Sequence, residues 1–94
     1  MNPEDLELLA EAELGEEARK FLESDLGLCL VGLAKQDAEE AKDKLSTVDP
    51  EDKLAIVRLQ REIAFVNRFE QYLRELLHRG NEAFEVLQEK RETR

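Results

Sequence analysis

From Val31 to Val48 the residues Val31, Ala34, Ala38, Ala41, Leu45 and Val48 recur at steps of three, four, three, four and three. This alternation marks a helix that buries one narrow seam against another helix. A second stripe of the same period follows at Ile56, Leu59, Ile63, Val66, Leu73 and Leu77, broken only by Glu70. Between them lies "STVDP", a five-residue connection that leaves room only for an antiparallel reversal. Alanines then face bulky residues across a close helix pair. The pattern predicts an all-α fold centred on an antiparallel helical hairpin, with short flanking N- and C-terminal helices and no sheet.

Helix punctuation sets the expected boundaries. "NPED" at 2–5 and "DPED" at 49–52 each place an Asx residue before proline and two acids. An Asx side chain caps an orphan N–H, proline needs no partner at the first helical position, and acids favour the positive end of the helix dipole. Asn2 and Asp49 are thus the expected N-caps. The sequences diverge beyond these four residues, so the two are not an internal repeat. The reading is one domain over 1–94, with a short helix at about 3–13 ended by Gly15 and a helix at about 16–46 with a possible break near 24–25. A turn at 46–50, a helix at about 50–79 stopped by Gly80, and a short helix at about 82–91 capped by Asn81 complete it.

The 94 residues carry 14 Lys and Arg against 23 Asp and Glu, a net charge of −9. That balance argues against direct DNA or RNA binding and against anionic membrane surfaces. The charge is uneven, because residues 1–52 hold 16 acids and 5 bases while residues 53–94 hold 7 and 9. A start without the basic and apolar regions of a signal peptide, and apolar runs of only a few residues, lead us to expect a soluble intracellular protein.

Residues that could carry chemistry have structural explanations. Cys29 is the only cysteine. It stands in the apolar run "LGLCLVGL", where burial as a small hydrophobe is expected. His78 is the only histidine, placed before an expected helix stop where positive charge is favoured. The acids lack the spacing of a calcium loop, and "DLGLCLVG" lacks that of a phosphate-binding loop. No catalytic residue, cofactor or metal site is expected, and the chain reads as no enzyme.

Two features of the second long helix stand out. Arg58, Arg61 and Arg68 fall on related turns of an acidic chain. They are expected to pair with Asp37, Glu40 and Asp43 across the hairpin, the alternative being contacts to an anion such as a nucleotide. Phe65, Phe69, Tyr72 and Leu76 form a second apolar stripe beside the first. One hairpin partner cannot cover both, so either the N-terminal segment (Leu6, Leu8, Leu9, or Phe21 and Leu22) folds over this stripe or another subunit does.

The run "ELGEEARKFLESDLG", the Ala- and acid-rich helix after it, and "VDPEDKLAIVRLQREI" resemble small helical proteins of tailed phages and prophages, over about residues 13–80. Where that family carries "GRYL", this chain has "GLCL" at 27–30. The resemblance implies a viral setting and the host cytoplasm, without excluding a place in the virion. It transfers no catalytic residue. The expected function is that of a non-enzymatic phage accessory protein that binds another protein through its acidic first half. Inhibition of a host defence or nucleic-acid-handling complex would be one outcome. The alternatives are a small oligomeric assembly or packaging component and an oligomeric binder of an anionic nucleotide. A protein partner and self-association are both expected.

Overall fold

The computed structural model describes residues 2–93, which form three α-helices and no strand. Helix α1 spans Pro3–Glu23, α2 spans Asp25–Thr47 and α3 spans Lys53–Glu92. In place of a hairpin with short helices at its ends, α1 and α2 lie one after the other along a single 40-residue α3. Both run antiparallel to it. Asp5 meets Lys90 near one end of the rod, and Ala41 shares a groove with Val66 nearer the other. The rod measures 65 × 27 × 16 Å.

The seam of α2 coincides with the sequence stripe, since Val31, Ala34, Ala38, Ala41, Leu45 and Val48 are all buried or half-buried while their neighbours are exposed. Ala41 retains 1% of its surface and Ala38 retains 5%. On α3 the seam does not stop at Leu77 but continues through Gly80, Ala83, Leu87 and Lys90. These later positions face α1, which presents Asp5, Leu8, Ala12, Gly15 and Ala18.

Gly15 and Gly80 are therefore not helix stops, and Asn81 caps nothing. An isolated glycine inside a helix costs only about 1 kcal/mol relative to alanine. As a stop it would need a left-handed backbone, and no glycine among the described residues has one. Instead the two glycines face each other where α1 crosses α3. A Cβ built on Gly15 would lie 2.7 Å from the Cα of Gly80 and 3.0 Å from the carbonyl oxygen of Leu76.

The expected break near 24–25 is present as one extended residue, Ser24. Its Oγ donates to the Phe21 carbonyl at 2.6 Å and accepts from the Gly27 N–H at 2.9 Å, closing α1 and opening α2 with one hydroxyl. Gly27 is obligatory here, because a Cβ would fall 1.6 Å from the Phe21 carbonyl oxygen. Leu22 and Val31, on either side of the break, share a groove with Glu70 and Leu73. Glu70, the polar interruption of the α3 stripe, thus sits where the arm opens, and its carboxylate lies 3.5 Å from Arg74.

Asn2 caps α1 as expected, its Oδ1 accepting from the Asp5 N–H at 2.8 Å. Asp49 does not cap α3. Its Oδ1 accepts from the Glu51 N–H and its carbonyl from the Asp52 N–H, both at 2.9 Å, so "DPED" is a turn about Pro50. Asp52 is the N-cap, accepting from the Ala55 N–H at 3.1 Å. Proline suits the second position of a turn as well as the first turn of a helix, and the two uses look alike in sequence.

Candidate protein interface

The aromatic stripe is open. Phe65 is 74% exposed and Tyr72 56%, while Phe69 and Leu76 are half-buried. Phe65, Phe69 and Tyr72 border a shallow dimple with Arg68. The N-terminal segment leaves Phe65 and Tyr72 open, its first turns packing along the distal part of α3, where Gly15 meets Gly80 and Asp5 meets Lys90.

The second wall of this face comes from α2. Phe65, Phe69, Tyr72 and Leu76 each stand one residue before a seam position of α3. Leu26, Leu30, Leu33, Asp37 and Glu40 stand one residue before seam positions of α2. In an antiparallel pair, residues on that flank of each helix open to the same side. The groove between the helices shows this directly, since Asp37, Glu40 and Lys44 line it together with Glu62 and Phe65. Leu26, Leu30 and Leu33 therefore extend the aromatic stripe into a two-helix apolar face.

Sequence reasoning missed these leucines, although a signal was present. "LGLCLVGL" is apolar around the whole helix, which calls for neighbours on more than one side. Within the chain it has α3 alone to face along the seam. Leu26 remains 65% exposed and Leu28 61%, and Cys29 is exposed rather than buried.

A second apolar surface lies on the opposite flank near the termini. Leu77 and Phe84 of α3 share a groove with Ala12, Glu13 and Glu16, the acids each standing one residue after a seam position of α1. Leu6, on the same flank of α1, is also exposed.

The arginines are not where pairing was expected. Among the described residues no ion pair joins Arg58, Arg61 or Arg68 to an acid. Arg61 lines the groove that holds Asp37 and Glu40 without bonding either. The three do not converge on one pocket: Arg61 lines the α2–α3 groove, and Arg68 borders the aromatic dimple. Arg19 instead gathers a charge cluster within α1, donating to Glu16 and to both oxygens of Glu23 at 3.0 Å. The hydrogen bond from Arg19 holds the Glu16 carboxyl below its usual range.

His78 lies 3.1 Å from Glu82 on the surface of α3. Among the described residues no group of three or more His, Cys, Asp or Glu is placed to hold a metal ion, and no helix is long and apolar enough to cross a membrane. Comparison with known proteins finds no matching family model, no matching curated protein and no matching solved structure.

Proposed function

We propose that this protein works without catalysis, as a helical docking rod that self-associates and binds another protein. The observation that carries the reading is its surface. The chain exposes 7538 Å², against about 5,600 Å² for a folded monomer of 10.9 kDa. Much of what remains outside is apolar: among the described residues thirteen large apolar or aromatic side chains are more than a third exposed, and no large side chain is fully buried.

Two apolar surfaces on opposite flanks, one central and one terminal, exceed what a single self-contact needs. The acidic α1–α2 arm is the surface offered to a protein partner. A row of carboxylates on a stiff rod can enter a cleft built for a nucleic-acid backbone, a route to inhibiting a nucleic-acid-handling complex in a phage-infected host. Size exclusion with light scattering over a dilution series tests the reading. An oligomer that Phe69→Glu splits into folded subunits is expected; a monomer at tens of micromolar overturns it.

A further inference from the structure

Resting on that reading, we propose that the central apolar face takes a second copy of this chain, with the two rods parallel. The α1–α2 arm of each copy then lies on α3 of the other, around a two-fold axis along the rod. The stripe on α3 does not meet its own copy. It meets Leu26, Leu30 and Leu33 of the partner's α2.

One observation supports a two-chain contact, and a second sets its orientation. The first is area. The excess surface is about 1,900 Å² for the chain, within the range each subunit of an obligate dimer buries. The second is charge. Helix α1 carries eight acids and two bases, α2 five and three, and α3 seven and eight, so the arm is −8 and α3 is +1. A two-fold axis across the rod would stack arm on arm, −8 against −8. The axis along the rod sets each arm on a slightly basic helix and keeps the arms diagonal. It also leaves every neighbouring helix pair antiparallel, the arrangement α2 and α3 already use within the chain.

The level of the contact follows from the fold. Because a rotation about the rod axis preserves height, Asp37 and Glu40 of one copy come level with Arg61 of the other, as they are within the chain. This gives that arginine a partner that the single chain does not supply.

Spin labels separate the two orientations. Cys29→Ser removes the native exposed thiol, and Gln88→Cys puts one label on an exposed position far from the face. The doubly substituted chain is first checked for unchanged helix content and mass. In the parallel pair the two labels share one height, and their separation is only lateral, under about 40 Å. In the crosswise pair, centred near residue 70, each label lies about 27 Å along the rod from the axis, and the two are about 55 Å apart or more. A two-chain mass with the short distance is expected. A two-chain mass with the long distance, or a mass above two chains, overturns the parallel pair while leaving the docking reading intact. A monomer overturns both.

Discussion

Glycine has different meanings at its four positions in this chain. Gly15 and Gly80 allow two helix backbones to touch, Gly27 clears a carbonyl at the break, and Gly32 has nothing within 4 Å of the point where a methyl would stand. Gly15→Ala and Gly80→Ala should each cost about 1–3 kcal/mol in denaturant melts, because the added methyl meets backbone and the helices must separate. Gly32→Ala should instead stabilise by about 0.5–1 kcal/mol, since only helix propensity changes there. The contrast tests the crossing directly, and equal effects at Gly80 and Gly32 would remove it. The turn offers a second comparison. Asp52→Ala should cost about 0.5–2 kcal/mol as a lost cap, with Asp52→Ser nearly silent.

At the scale of the element, α3 acts as a spine that two shorter helices share. A 40-residue helix spans about 60 Å, close to the length of the whole molecule. Small residues on the arm let it lie close: Ala38 and Ala41 do so in α2, Gly15 and Ala18 in α1. Ala38→Leu should therefore overpack the seam and cost about 1–3 kcal/mol, although leucine is a good helix former and the better hydrophobe. The distal end is closed by polar contact, with the Lys90 ammonium 2.7 Å from the carboxylate of buried Asp5. Asp5→Ala should cost about 1–3 kcal/mol and raise hydrogen exchange first where the two termini meet, near residues 3–10 and 84–92. A uniform rise along α3 would mean that the rod opens as one unit.

At the scale of the molecule, shape drives the functional reading. The radius of gyration is 19.1 Å, against about 12 Å for a compact domain of this length. Two layers of helix can bury one seam and no more, so the remaining apolar residues face outward. Because each chain carries −9, association should tighten as salt rises from low to moderate concentration and repulsion is screened. Sedimentation across a salt series reads this, and weakening throughout would mean that attraction between arm and spine outweighs the net repulsion.

The residue pattern alone determined the helical class, the α2 seam, the cap at Asn2 and the existence of a second apolar stripe from Phe65 to Leu76. Each follows from local periodicity or from a side chain meeting its own backbone a few residues away. Tertiary structure alone decided whether a glycine ends a helix or joins two, because that depends on a distant segment of the chain. It also decided where α1 lies, and so left the aromatic stripe open. The pairing of Leu26, Leu30 and Leu33 with that stripe required the flank of each helix to be known, which periodicity along one segment does not specify. The pairing of Asp5 with Lys90 carried no local signal, since the first reads only as an acid of a helix start. Each is an ordinary surface residue until antiparallel packing puts the first turn of α1 beside the last of α3.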